Sequence, residues 1–239
     1  MEPKILFEDE SVLLIDKPAG WIVNEAATTG TTPVLQNWIS KNFDFETSKS
    51  FEFRSGIVHR LDKETSGVLI ISKSLYAFEN LQKQFKQRRI KKSYLALAHG
   101  RVGSPNGVIE VPVGRLPWRR DRFGVLPGGR DSLTEYTLID LYKKGNEYFS
   151  LISLNPKTGR THQIRIHLKY LGHPIVSDDF YAGRKTSRKD RVWCPRLFLH
   201  AAKIEFAHPV TSEKLTFTSD LPPDLETVLH QLEKISQTP

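Results

Sequence analysis

The chain contains almost no cysteine and no long apolar run, and each shortage excludes a class of protein. Its 239 residues include one cysteine, Cys194, so an intramolecular disulfide is impossible and a reducing compartment fits best. No apolar run approaches the roughly 20 residues that a membrane-spanning helix needs. Lys4, Glu8 and Asp9 interrupt the start of the chain, which therefore lacks the layout of a secretory signal peptide. We expect a cytoplasmic protein without a membrane partner.

Several motifs that would indicate a cofactor, a metal ion or a serine nucleophile are missing. No G-x-G-x-x-G follows a candidate strand and no Walker-type loop occurs, which disfavours nucleotide chemistry. Ser66 lacks the G-x-S-x-G frame of a hydrolase. His162 and His167 lie ~140° apart around a helix, whereas zinc-binding helices place their ligands four residues apart on one face. We therefore expect neither a cofactor nor a metal ion.

Acidic residues are in the minority, and the excess of positive charge is clustered. The chain has 35 Lys and Arg against 27 Asp and Glu, a net charge of +8. Basic blocks occupy residues 83–92, 115–122 and 184–191. A balance of this kind favours an anionic partner, most commonly nucleic acid. Three blocks lining one groove would contact phosphates, whereas three solvated surface loops would not, and charge alone leaves both interpretations open.

Apolar periodicity and turn residues predict an α+β chain, with a mostly antiparallel sheet and helices packed on it. Strands are predicted over residues 5–7, 12–15, 68–71, 94–98, 132–142, 148–154, 197–206 and 215–218. Helices are predicted over 34–43, 75–85, 161–171 and from Pro222 or Pro223 to Ile235, with strands and loops over 102–129 and a loop over 184–191. No linker or repeat is evident, so residues 1–239 are predicted to form a single domain.

The most informative residue is Asp62, in the run His-Arg-Leu-Asp-Lys-Glu-Thr-Ser-Gly at positions 59–67. A turn follows the acid, and the predicted strand over 68–71 follows the turn. That arrangement holds a carboxylate on a rigid edge, where reactive groups are best positioned. The run resembles the HRLDxxTSG signature of the pseudouridine synthases, specifically the ribosomal large-subunit (RluA-type) family, and it matches at all seven fixed positions.

Other segments are similar to the same family. Residues 92–100 match its KxYxALVxG-like segment around Tyr94, with Ala98 in place of valine, and residues 159–168 match GRTHQIRxHL throughout, around Arg165. Lys-Pro-Ala-Gly at 17–20 matches an early turn that we interpret as scaffold.

The sequence departs from the family at two nearby positions. Ser177 stands where glycine is usual, and Ala182 separates a Tyr-Gly pair that is normally continuous. Neither change falls on a predicted catalytic position.

The resemblance runs from Ile5 to about Leu221 and implies a pseudouridine synthase catalytic domain in a short form, without an N-terminal S4 domain. It implies an enzyme free of cofactor and metal, with Asp62 as the essential carboxylate, Tyr94 and Arg165 beside it, and a central basic cleft. The target uridine must be flipped out, because a base inside a helix is unreachable. Whether Asp62 attacks the sugar or the base, or acts on a sugar proton, stays open.

The candidate residues also have other interpretations. Tyr94 fits a core tyrosine and Arg165 a surface helix arginine. An arginine near Asp62 would keep it ionised and fix it by two parallel hydrogen bonds. The chain as a whole also fits a non-catalytic RNA-binding or RNA-chaperone protein on the same fold.

The expected partner is a structured RNA, an rRNA or tRNA stem-loop, bound by a monomer. The resemblance implies that Arg60 enters the RNA helix or contacts phosphates of the target, and His59 is expected to be a structural hydrogen-bonding residue. The RNA-binding candidates are Arg60, Lys91, Lys92, Arg119, Arg120 and Arg160. The sequence does not identify the uridine or decide between rRNA and tRNA.

Overall fold

The computed structural model describes residues 1–25 and 29–235, and its backbone contacts divide the chain into two compact units. Unit 1 comprises Met1–Lys92 and Ala201–Asp220, and unit 2 comprises Ser93–His200 and Leu221–Pro239. The strands are β1 (Lys4–Glu8), β2 (Val12–Lys17), β3 (Ser66–Ser72), β4 (Lys91–His99), β5 (Asn106–Glu110), β6 (Val113–Leu116), β7 (Arg119–Val125), β8 (Leu133–Lys144), β9 (Glu147–Pro156), β10 (Leu199–Ala207), β11 (Lys214–Thr218) and β12 (Glu233–Ile235). The helices are α1 (Leu35–Asn42), α2 (Leu75–Lys86), α3 (Gln163–Tyr170), α4 (Arg184–Asp190) and α5 (Pro223–His230).

Unit 1 is built around β3, a strand that is buried along its whole length. Its sheet has the order β1-β2-β3-β10, with β11 paired to β10. The register-matched pairs are antiparallel. Helix α2 begins because the Ser74 side chain accepts a hydrogen bond from the amide of Ala77 at 3.2 Å, as an N-cap should. Its buried residues Phe78 and Leu81 join Ile70 and Phe206 in the core of the unit.

Unit 2 has the strand order β4-β9-β8-β12, with β5 paired to β8. The long β8–β9 hairpin turns at Gly145, which has a φ of 58°. Phe149 and Ile152 of β9 are fully buried with Leu168 of α3 and Leu225 of α5. Strands β6 and β7 form a separate two-stranded sheet. Helix α3 packs on this core through Leu168, and the packing holds the side chains of the helix in fixed positions.

The α+β class with mostly antiparallel sheets is confirmed, and so are the predicted strands and the first three helices, within a few residues at their ends. The single domain and the central basic cleft stay predictions. No helix among the described residues combines the length and apolar content needed to cross a membrane.

Three local predictions are wrong. Residues 184–191 form helix α4 and not a loop, because the segment has no internal Gly or Pro to break a helix that starts after Gly183. Helix α5 ends at His230 and does not reach Ile235, which instead pairs with Leu141 of β8. The helical spacing of Leu75 with Phe78 and Leu81 predicts that Leu75 lies on the packed face of α2, but it is 36% exposed at the first helical position.

Candidate active site

Asp62 lies in a hydrogen-bonded turn that leads directly into β3. Its carbonyl accepts a hydrogen bond from the amide of Thr65 at 3.1 Å, and the strand begins one residue later, at Ser66. Leu61 is buried, whereas Arg60 is exposed and Asp62 is half-buried. The hydrophobic anchor at Leu61 and the turn at Thr65 therefore fix the backbone on both sides of the carboxylate.

The Lys-Pro-Ala-Gly turn is hydrogen-bonded to the Asp62 turn. Lys17 is fully buried, and its Nζ donates to the carbonyls of Pro18 at 2.9 Å, Trp21 at 3.0 Å and Lys63 at 3.3 Å. The amide of Gly20 also donates to the Lys63 carbonyl, at 2.8 Å. A buried ammonium needs such acceptors because its desolvation is costly. The motif therefore acts as a scaffold in a specific way: it holds the carbonyl of Lys63, the residue next to Asp62.

His59 ties the start of the motif to the strand that follows it. Its Nε2 accepts a hydrogen bond from the amide of Ile70 at 3.0 Å, and its ring lies 5.0 Å from that of Phe85. Burial, reinforced by the positive charge of Lys92, lowers the pKa of His59 to about 3. The imidazole is therefore neutral at pH 7 and acts as an acceptor, which confirms the predicted structural role.

Tyr94 lies near the start of β4, opposite Leu154 of β9. The side chain is half-buried and packs against the core of unit 2. One part of the tyrosine is therefore fixed by the core, while another part stays accessible.

Arg165 is buried on α3, and its side chain is 6% exposed. Its Nε donates to Oδ2 of Asp178 and its Nη2 donates to Oδ1, both at 2.8 Å. The interpretation as a surface helix arginine is therefore wrong. The guanidinium makes two parallel hydrogen bonds to Asp178, and the pairing expected with Asp62 stays a prediction.

The segment after Asp178 closes around the same arginine. Oδ1 of Asp178 also accepts hydrogen bonds from the amides of Phe180 at 2.9 Å and Tyr181 at 3.0 Å. The guanidinium lies 5.3 Å from the ring centre of Phe180 and 5.1 Å from that of Tyr181. The sequence analysis did not identify Asp178 as the partner of Arg165. The available signal was an acid 13 positions after the arginine, because a buried guanidinium requires a carboxylate as its partner.

Gln163 anchors the start of α3, two residues before Arg165. Its Nε2 donates to the carbonyl of Leu133 and to Oγ1 of Thr134, both at 3.0 Å. Its Oε1 accepts from Oγ1 of Thr158 at 2.7 Å and from the amide of Arg160 at 3.0 Å. A single buried amide thus joins α3 to β8, which explains the Gln of the GRTHQIR segment by its geometry.

The RNA-binding candidates fall on different parts of the chain. Arg60 and Lys91 are exposed in unit 1, and Arg119 is exposed on β7. Arg160 is half-buried, and its Nε donates to the carbonyl of Asp131 at 3.2 Å. The side chain of Arg120 lies outside the described part of the structure.

Lys92 differs from the other basic candidates because it is largely enclosed. Its Nζ lies 5.9 Å from the ring centre of Phe85. Burial lowers the pKa of Lys92 to about 8. The ammonium is still mostly charged at pH 7, but it is less accessible to a phosphate than Lys91.

The histidines considered as metal ligands have other surroundings. Nδ1 of His162 lies 2.9 Å from the hydroxyl of Tyr181. His167 is fully buried, and burial lowers its pKa to about 4. Within residues 1–25 and 29–235, no group of three His, Cys, Asp or Glu residues is placed to hold a metal ion. The expected absence of a metal stays a prediction.

The three predicted catalytic residues are distributed over both units. Asp62 belongs to unit 1, whereas Tyr94 and Arg165 belong to unit 2. Their mutual approach stays a prediction. Each is held by its own surroundings: a braced turn, a packed strand and a buried ion pair.

Comparison with known proteins gives the family. The model of the family described as RNA pseudouridylate synthase matches residues 11–170, which include Asp62, Tyr94 and Arg165. The chain belongs to the RNA pseudouridylate synthase family. Among relatives, it is similar to "Ribosomal large subunit pseudouridine synthase D" of Nitrosomonas europaea, with 37% identity over 97% of this chain and 66% of that protein. It is also similar to "Uncharacterized RNA pseudouridine synthase YlyB" of Bacillus subtilis, with 34% identity over 98% of this chain and 74% of that protein.

The solved structures agree with this family at the level of the fold. Human RNA pseudouridylate synthase domain containing 1 superposes with a TM-score of 0.75 and 26% identity, covering 98% of this chain and 89% of that one. Human RNA pseudouridylate synthase domain containing 4 gives a TM-score of 0.71 over 96% and 94% of the two chains, at 22% identity. The chain spans about two thirds of the length of the first curated relatives that it matches.

Proposed function

We propose that this member of the RNA pseudouridylate synthase family isomerises specific uridines in structured rRNA or tRNA to pseudouridine, with Asp62 as the essential carboxylate. The observation that carries the proposal is the complete HRLDxxTSG run, whose acid stands on a turn fixed by Leu61, Thr65 and Lys63. A reactive carboxylate needs such preorganised support. The proposal includes action in the cytoplasm, as a monomer and without a cofactor.

The chemistry suits a carboxylate. The C1′–N1 bond of uridine breaks, the uracil turns, a C1′–C5 bond forms, and the hydrogen on C5 leaves as a proton. No electron is gained or lost, so no redox partner is needed. Asp62 attacks the sugar or the base, or moves a proton at the sugar.

Tyr94 and Arg165 have supporting roles in the proposal. The ring of Tyr94 stacks on the uracil, or its hydroxyl reaches a sugar proton. Arg165 contributes positive charge near Asp62. Its pairing with Asp178 supports this role, because a guanidinium fixed by a buried ion pair keeps one orientation.

The target base must leave the RNA helix to reach these groups, which costs a few kcal/mol. We propose that Arg60 fills the gap or contacts the neighbouring phosphates. Arg60 is exposed two residues before Asp62, with the buried Leu61 between them. The other proposed phosphate contacts are Lys91, Lys92, Arg119, Arg120 and Arg160.

The direct test is tritium release from RNA labelled at C5 of uridine, because isomerisation frees that hydrogen once per turnover. Wild type and Asp62→Asn are compared on total tRNA and on rRNA separately. We expect release by the wild type from one pool and none by Asp62→Asn, with RNA affinity largely kept. The responding pool identifies the class of substrate.

Glu64→Gln is the matched control, since it neutralises a half-buried carboxylate two residues from Asp62 in the same turn. It should keep most of the activity. No release by the wild type from either pool, together with tight RNA binding, would overturn the proposal and favour a non-catalytic RNA-binding or RNA-chaperone protein.

A further inference from the structure

The two-stranded sheet of β6 and β7 is a hairpin with a firmly held base. Val113, at the base of the hairpin, is buried with Tyr181. The hydroxyl of Tyr181 donates to the carbonyl of Phe123 at 3.1 Å, and Nη1 of Arg122 donates to the carbonyl of Phe180 at 3.0 Å. Phe180 and Tyr181 are also the aromatic residues that enclose Arg165. The base of the hairpin therefore shares its supports with a proposed catalytic residue.

The tip of the hairpin has a different composition. Leu116 pairs with Arg119 across the two-residue connection of Pro117 and Trp118. The Trp118 side chain is 72% exposed, although an indole is one of the largest apolar surfaces that a residue can bury. A single exposed apolar residue needs no explanation by itself. Trp118, however, lies within a run of arginines.

Arginines flank Trp118 in the sequence. Residues 115–122 contain four arginines and one acid, Asp121. Arg119 approaches that acid at 3.5 Å, as an exposed pair that stabilises the fold little. Arg122 approaches it at 3.8 Å and is itself only 32% exposed. The guanidinium of Arg115 lies 4.9 Å from the ring centre of Phe123, on the neighbouring strand. The hairpin thus carries an exposed aromatic face at its tip, with several arginines close to it in the sequence.

We propose that Trp118 stacks on an unpaired base of the RNA substrate, while the neighbouring arginines contact its phosphates. This inference rests on the proposed function and specifies how its substrate is held. Aromatic side chains stack on any base, and each such contact contributes about 1–3 kcal/mol. Bases in a continuous duplex are stacked on one another, so an indole at a hairpin tip requires a base in a loop, in a bulge or beside the extruded uridine.

The test compares Trp118→Ala, Trp118→Phe and the wild type for binding to two labelled RNAs: a stem-loop, and the fully paired duplex of the same stem. We expect Trp118→Ala to weaken binding to the stem-loop about 5- to 100-fold and to change binding to the duplex little. Trp118→Phe should stay within about 3-fold of the wild type, because it keeps an aromatic face. The dependence of binding on salt should not change, because no charge is removed.

Phe51→Ala is the matched control, since Phe51 is a similarly exposed aromatic residue (78%) in unit 1. It should bind both RNAs like the wild type. Wild-type affinity of Trp118→Ala for the stem-loop, or an equal loss for stem-loop and duplex, would overturn the inference. Tritium release by the wild type distinguishes the two hypotheses. If the wild type releases tritium and Trp118→Ala binds the stem-loop normally, the stacking role alone is rejected. If Trp118→Ala selectively loses stem-loop binding and the wild type releases no tritium, the proposed function alone is rejected.

Discussion

At the scale of single residues, the chain satisfies its buried basic groups in three different ways. Lys17 keeps its ammonium among backbone carbonyls. Arg165 is paired with a carboxylate, and His59 is neutral because burial lowers its pKa to about 3. These solutions follow from geometry: a planar guanidinium matches a carboxylate, whereas a compact ammonium fits a ring of carbonyl oxygens. The residue types were visible in the sequence, but their partners were not.

The ion pair of Arg165 and Asp178 leads to a prediction about stability. Asp178→Asn removes the charged partner from this buried ion pair, and we expect a loss of about 3–5 kcal/mol in the free energy of unfolding. Arg165→Met should cost less than Asp178→Asn, because the Asp178 carboxylate keeps the amides of Phe180 and Tyr181 as donors. Urea unfolding of both single variants and the double variant measures the coupling energy between the two groups.

Glu135→Gln is the control, since Glu135 pairs with Lys157 at 2.6 Å with both side chains 45% exposed. That surface pair should contribute about 0–1 kcal/mol. If the losses of the two single variants at Arg165 and Asp178 simply add in the double variant, the buried pair has no special coupling energy.

At the scale of secondary structure elements, the fixed residues of the Asp62 motif have separable physical reasons. His59 holds β3 through the amide of Ile70, and the carbonyl of Asp62 closes the turn with Thr65. Gly67 has a φ of +115°, and a Cβ added there would lie 2.3 Å from the carbonyl oxygen of Ala201. The glycine is therefore required both by backbone conformation and by the close approach of β10.

Gly67→Ala tests that reason. We expect a loss of at least about 3 kcal/mol, because strain at a positive φ is added to a clash with backbone that cannot move without opening the sheet. Gly145→Ala is the matched control: its φ is +58°, and nothing lies within 4 Å of an added Cβ. It should cost about 1–2 kcal/mol, from the left-handed conformation alone. Equal losses in thermal or urea unfolding would contradict the role of the close approach.

Sequence patterns predicted these elements well where a period and a cap occurred together. Ser74, a candidate N-cap, and the spacing of Phe78, Leu81 and Phe85 predict α2, and the turn at residues 143–146 between two predicted strands predicts the β8–β9 hairpin. The wrong predictions lie where an apolar period is missing or where a distant strand decides. Helix α4 has almost no apolar period, so its sequence resembled a basic loop. The pairing of β12 with β8 involves residues almost a hundred positions apart, which no local pattern reveals.

At the scale of the whole molecule, the sequence indicates candidate residues but not the contacts that hold them in place. The motifs predict Asp62, Tyr94 and Arg165 as site residues because their spacing within each segment is fixed, and their catalytic roles stay predictions. They did not reveal Asp178 as the partner of Arg165, since the two lie 13 positions apart, across a helix end and a loop. They also gave no indication of two compact units, because each unit is assembled from two separate segments of the chain.

The charge of the whole molecule leads to the last prediction, which concerns how binding depends on salt. If the RNA contacts both units, phosphate contacts on each should release counterions independently. Arg60→Ala in unit 1 and Arg119→Ala in unit 2 should each reduce the slope of log affinity against log salt concentration by about 0.9, and the double variant by about twice that amount. Lys49→Ala is the control, because Lys49 is exposed but pairs with Asp44 at 2.6 Å and lies outside the predicted contacts. A change of slope for only one of the two arginines would restrict the RNA-binding surface to that unit, and an equal change for Lys49→Ala would show that general charge alone attracts the RNA.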